Sequence, residues 1–186
     1  MVAFPRDLLP LSLDLHRWNV VLSTELSSLP FADRDHKAVA ILDAGGTVIG
    51  CSTPCQLGNA EAVIHRCLNY FDRWESGCAV LTNDPFSGSA HVQDHWLVRP
   101  VFDGSEVLGF AIVVVHLVDI GGQNFGNFYP EARDVWQEGV RTTPVRLVRD
   151  GSIDRGVMEL IKLNSRAPVL VEHDLRVMHQ LSERMS

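Results

Sequence analysis

The chain has 186 residues, 46% of them hydrophobic and 21% charged, with a formal net charge of −7. That length supports one well-buried core, read as a single domain or lobe over residues 1–186, and removes roughly 70% of the unfolded chain's surface on folding. The acidic balance argues against a polyanion, so neither nucleic acid nor an anionic membrane surface is an expected partner.

From Ser12, apolar residues recur at Leu15, Trp18, Val21, Leu22, Leu26 and Leu29 with helical spacing, and Pro30 ends the helix. Ala38 to Leu42 and Thr47 to Cys51 read as an antiparallel hairpin around Asp43-Ala-Gly-Gly46. Asn59 is positioned to cap a second helix, Ala60 to Trp74, with Val63, Ile64, Cys67, Leu68 and Phe71 on one face. Ala79 to Thr82 is a brief strand leading into the turn Asn83-Asp84-Pro85. Trp96 to Phe102 and Glu106 to His116 flank Asp103-Gly104 as a second hairpin, and the nearly continuous apolar character of the latter predicts a strand covered on both faces.

Gly121 to Tyr129 has the glycine, asparagine and aromatic content of an ordered loop. Beyond it the pattern predicts a short helix at Ala132 to Gln137, an extended Pro144 to Val148, a turn at Asp150-Gly151, and helices near Asp154 to Leu163 and Pro168 to Glu183. The fold class expected is α+β, a mixed or mainly antiparallel sheet with packing helices, its core strand running from Glu106 to Val115. Cys51, Cys55, Cys67 and Cys78 fit neither zinc knuckles nor a disulfide framework and read as free thiols. The longest apolar run, Phe110 to Val115, is far short of the ~20 residues that span a bilayer. Arg6, Asp14, His16 and Arg17 interrupt any signal-peptide core, which makes the cytoplasm the default location.

Two His-to-Asp steps of equal spacing, His91-Val-Gln-Asp94 and His116-Leu-Val-Asp119, sit where strands meet loops. A mixed imidazole and carboxylate set of this kind suits a divalent metal, with zinc, manganese and iron all open. His91 and Asp94 converge if the segment between them turns; on an extended strand they would face opposite ways. Asp119 reads as a group that orients His116 or as a general base beside the metal. His95, one residue after Asp94, is expected to point away. Glu138 and Arg141 offer a carboxylate and a guanidinium for catalysis, against the blander reading of a salt-bridged surface turn. No phosphate-cradling glycine loop and no nucleophile elbow occurs, so no nucleotide-binding residue is assigned and nucleotide chemistry is expected to come from another chain.

The ordered blocks Leu81 to Asp94, Pro100 to Phe102, His116 to Gly122, Trp136 to Arg141 and Pro144 to Leu147, followed by Asn164 to Pro168 and Asp174 to Arg176, closely resemble the hydantoinase B subunit family. That family includes the B-type subunits or regions of ATP-dependent hydantoinases, 5-oxoprolinases, caprolactamases and the acetone and acetophenone carboxylases. The resemblance is strongest over residues 79–180 and implies a hydantoinase B-like domain resembling the N-terminal part of those subunits. It implies His91, Asp94 and His116 as ligands of a divalent metal, with Asp35 or His36 supplying a further ligand. It also implies that ATP is used only through an A-type, hydantoinase A-like partner, which activates a small-molecule substrate for hydrolysis or carboxylation. The family's Gly-Gly-Thr-His is Gly88-Ser-Ala-His91 here, the second of two histidines is Leu117, and His-Leu-Gly is Gln56-Leu-Gly58. Members are normally much longer. The alternative is therefore a shortened, non-catalytic binding or assembly subunit, or a split-gene part whose partner chain carries the missing C-terminal region.

Overall fold

The computed structural model describes residues 37–53, 56–126 and 129–186. The helix expected from Ser12 to Leu29, together with Asp35 and His36, lies outside the described residues. Strands β1 (Lys37–Asp43) and β2 (Val48–Cys51) form the first hairpin, and helix α1 (Leu57–Tyr70) follows. Strand β3 (Ala79–Thr82) leads to the long hairpin β4 (Asp94–Asp103) and β5 (Glu106–His116). Strands β6 (Val145–Arg149) and β7 (Ser152–Ile153) then precede helices α2 (Arg155–Leu163) and α3 (Pro168–Arg184).

All seven strands form one sheet in the order β2-β1-β5-β4-β3-β6-β7, with every neighbouring pair antiparallel. The fold is α+β with an antiparallel sheet, as the strand pattern predicted. Side-chain alternation on β5 explains its continuous apolar run. Phe110, Ile112 and Val114 face α1 in a cluster with Val63, Ile64, Cys67, Trp96 and Val98. Ala111, Val113 and Val115 face the other way, against Leu97, Ile161, Leu175 and Met178 beneath α2 and α3. A strand covered on both faces has no solvent side on which to place polar residues. Burying each of these larger aliphatic side chains contributes roughly 1.5–3 kcal/mol before entropy is charged against it.

The predicted second helix differs at both ends. It starts at Leu57 rather than Ala60, behind Gln56, which makes no side-chain cap bond; the Asn59 amide instead donates to Gln56 Oε1 at 3.1 Å. It stops at Tyr70 because Phe71 is extended (φ −116°, ψ 119°), and Phe71 packs edge-to-face on Trp74 and Trp74 on Phe110. The helix expected at Ala132 to Gln137 contracts to one 3-10 turn, Val135–Gln137, begun by the Asp134 side chain. Helix α2 is capped by Asp154, whose Oδ1 accepts from Val157 N at 3.0 Å, and α3 opens on Pro168.

Candidate metal centre

Asp94 is the first residue of β4 and His116 the last of β5, and the antiparallel register sets them opposite one another on the face that carries α1. Cross-strand partners on one face have adjacent side chains. His116 Nδ1 lies 2.8 Å from Asp94 Oδ1. His91 precedes the strand, and a turn closed by Asp94 N donating to the His91 carbonyl at 3.2 Å carries it back over the same carboxylate. His91 Nδ1 sits 3.2 Å from Asp94 Oδ2. The sequence left open whether His91 and Asp94 converge; the turn brings them together.

Ser89 fixes that turn. Its hydroxyl is 2.7 Å from the His91 carbonyl and 3.1 Å from that of Asp94, and it accepts from the Trp96 indole N–H at 3.1 Å. Upstream, Gly88 has φ +112° and a Cβ there would stand 2.6 Å from Ala62 Cβ, so only glycine lets this loop lie against α1. Asn83, fully buried, donates to the carbonyls of Val92 (2.6 Å) and Val140 (2.8 Å) and accepts from Thr142 N (2.6 Å) and Thr142 Oγ1 (2.9 Å). It ties the histidine loop to the segment that holds Arg141. The sequence marked Asn83 only as a turn former.

One ligand atom from each of His91, Asp94 and His116 lies within 4.8 Å of the others, and the two imidazole centroids are 6.0 Å apart. Donors sharing an ion at roughly 2.1 Å stand at most roughly 4.2 Å apart. A small side-chain rotation closes the difference, and His91, with 53% of its side chain exposed, has room for it. Asp94 is 1% exposed and its acceptors already bridge both rings. Burial alone would raise its pKa, but the hydrogen bond and charge of His116, then those of His91, hold its carboxyl below the usual range. A carboxylate and two imidazoles converging from a strand start, a strand end and a braced turn fit a divalent cation by donor type and by placement.

Other expected site residues lie elsewhere. The Asp119 carboxylate, fully buried, accepts from Arg166 N (2.6 Å), Nε (3.1 Å) and an Nη (2.5 Å), and from Ser165 Oγ (3.4 Å). Its hydrogen bonds come from Arg166, Ser165 and the Gly121 backbone, not from His116, and together, with Arg166 foremost, they outweigh burial and hold its pKa below the usual carboxylate value. Arg166 also donates to the carbonyls of Gly121 and Asn124, so the pair staples the loop after β5. Arg141 pairs with Asp84 at 3.2 Å, not with Glu138, and lies between the Phe86 and Trp136 rings at 5.3 and 5.4 Å. Glu138 ends the 3-10 turn. Neither Glu138 nor Arg141 bonds to the histidine and aspartate cluster. His95 faces the sheet's opposite side, as strand alternation predicted; it is 1% exposed and burial pushes its pKa down to about 4. Among the described residues no helix is long and apolar enough to cross a membrane.

Comparison with known proteins adds a family. The model described as hydantoinase B/oxoprolinase matches residues 19–185. The caprolactamase subunit beta of Pseudomonas jessenii is 30% identical over 131 residues, 70% of this chain and 22% of that subunit. The crystal structure of the ATP-dependent caprolactamase from the same organism superimposes with a TM-score of 0.88 at 24% identity, covering 100% of this chain and 33% of that one. A nucleotide-free acetone carboxylase structure gives a TM-score of 0.72 at 15% identity, covering 96% of this chain and 26% of the other. The fold is shared with both structures, and this chain spans between 22% and 33% of the length of these relatives.

Proposed function

The chain belongs to the hydantoinase B/oxoprolinase family, and from that premise we propose that it is the metal-bearing B-type subunit of an ATP-dependent cyclic-amide hydrolase or related carboxylase. In this reading an A-type partner uses the ATP in the cytoplasm, and this chain completes the reaction on the activated small molecule. The observation that carries the reading is the convergence of His91, Asp94 and His116. His91, Asp94 and His116 would hold a zinc, manganese or iron ion, which would supply Lewis acidity to a substrate carbonyl or to water.

The protein's own residues prepare for that charge. Asp94 accepts from both rings, so each imidazole turns its Nδ1 toward one buried carboxylate. Metal binding is expected to weaken as pH falls, because protons compete for the same imidazole and carboxylate donors. The sheet keeps Asp94 and His116 in register, while His91 stands on the open side, where substrate can approach.

The test is metal analysis of the purified chain followed by reconstitution with an A-type partner. Stoichiometric divalent metal and ATP-dependent turnover are expected, with no ATPase from the chain alone, and His91→Ala should remove both metal and turnover. A second reading, a binding or assembly subunit, draws on the exposed Phe86, Trp136, Leu163 and Val169, each at least 73% exposed. It predicts complex formation without metal, and a His91→Ala complex as active as the wild type.

A further inference from the structure

On the opposite side of the sheet from His91, Asp94 and His116 lies a cavity of about 280 Å³ that the proposed metal chemistry does not use. Val140, Val145, Val157 and Ile161 line it, with His95 at its buried end and Leu160, 58% exposed, at its open end. The ionised side chain on its wall is Arg141. Nη1 of that guanidinium is paired with Asp84 and two aromatic rings lie against it, while its Nε, which has no hydrogen-bond partner, is fully buried and closed to a ligand, so the cavity asks for no countercharge.

His95 supplies the specific feature. Its Nδ1 lies 3.0 Å from the Gln93 carbonyl, which can only accept, so Nδ1 carries the proton and Nε2 is the ring's lone-pair nitrogen. Nε2 has no hydrogen-bond partner among the described residues. Thr142, Thr143 and Asn164 also line the cavity, but the Thr142 hydroxyl donates to Asn83 and the Asn164 amide to the Leu160 carbonyl. A mostly apolar pocket with a few placed polar groups is the usual design of a small-molecule site. We propose that this cavity binds a small, uncharged, largely aliphatic molecule that donates one hydrogen bond, from an O–H or N–H group, to Nε2 of His95.

The charge balance argues against anions, and the aliphatic walls argue against strongly polar ligands. A ligand of the same shape without a donor leaves the buried nitrogen unsatisfied, which is how such sites discriminate. The site is independent of the metal reading, so the experiment is run on the full chain with chelator present.

Isopentyl alcohol, isopentyl methyl ether and isovalerate are titrated into isotopically labelled protein, following side-chain methyl and imidazole nitrogen resonances. The alcohol is expected to saturate shifts at Val157, Leu160 and Ile161 and to move Nε2 of His95. The ether and the carboxylate should bind at least about ten-fold more weakly. Leu160→Trp, which closes the open end at an exposed helix position, should abolish alcohol binding without changing the melting temperature. His95→Phe should bind alcohol and ether alike; if that variant does not fold, the wild-type comparison of alcohol with ether decides. Absence of saturable binding, equal affinity for alcohol and ether in the wild type, or unchanged binding in Leu160→Trp overturns the proposal.

Discussion

Asn83 shows how much of the site depends on one side chain that never touches it. Its amide serves two carbonyls and accepts from two groups of Thr142, across separations of up to 59 residues. Asn83→Ala leaves those buried groups unpaired and is expected to cost roughly 2–4 kcal/mol in denaturant unfolding, with metal affinity falling in parallel. Asp174 makes the opposite case. It is 4% exposed, and burial pushes its pKa up from 3.8 to about 6, with His173 and Lys37 opposing. An acid with a raised folded-state pKa costs nothing below its unfolded value, and its penalty grows as pH rises from about 4 to about 6. Asp174→Asn is therefore expected to raise stability by roughly 1–3 kcal/mol at pH 7. The gain should vanish below pH ~4, as thermal melts across that window will show. Asp94 has the reverse sign: its depressed pKa gives stability that is present above the unfolded value and lost as pH falls through the folded one.

At the level of elements, hairpin register brings the histidine and aspartate side chains of the candidate metal centre together. Asp94 opposes His116, and a one-residue slip would turn one of them to the α2–α3 face. Ser89 holds the remaining ligand by bracing the turn between His91 and Asp94. Ser89→Ala is expected to weaken metal binding roughly ten-fold, measurable by competition with a chromogenic chelator, while the sheet survives. These local features were legible in the sequence: Asp103-Gly104 marked the hairpin, the run Phe110 to Val115 marked a two-faced strand, and of the two His-to-Asp steps the first, His91 to Asp94, closes on itself while His116 turns to Asp94 rather than Asp119. What periodicity could not supply was pairing at long range. Asp119 reads locally as a neighbour of His116, yet its partner Arg166 stands 47 residues on. Arg141 reads as a partner for Glu138, yet it bonds Asp84, 57 residues back. Helix α1 ends earlier than its apolar spacing implies because Phe71, Trp74 and Phe110 make edge-to-face tertiary contacts that spacing along the chain does not encode.

At the scale of the molecule, the central strands are covered on both faces, and apart from Leu108 on β5 the exposed large apolar side chains among the described residues lie on helices and loops. Leu160, Leu163 and Val169 are 58%, 81% and 78% exposed around α2 and the start of α3, and Phe86, Phe125 and Trp136 stand out from the loops at 79%, 60% and 73%. Aromatic rings stacked on arginine, as Phe86 and Trp136 are on Arg141 and Phe125 is on Arg166, have the composition that protein interfaces favour. The isolated chain is therefore expected to self-associate with rising concentration, read by sedimentation velocity. Leu163→Glu combined with Val169→Glu should shift it toward monomer with little change in melting temperature, since neither side chain supports the core. Should the wild type stay monomeric at high concentration and the double variant bind an A-type partner as tightly as the wild type, this surface has no role in assembly.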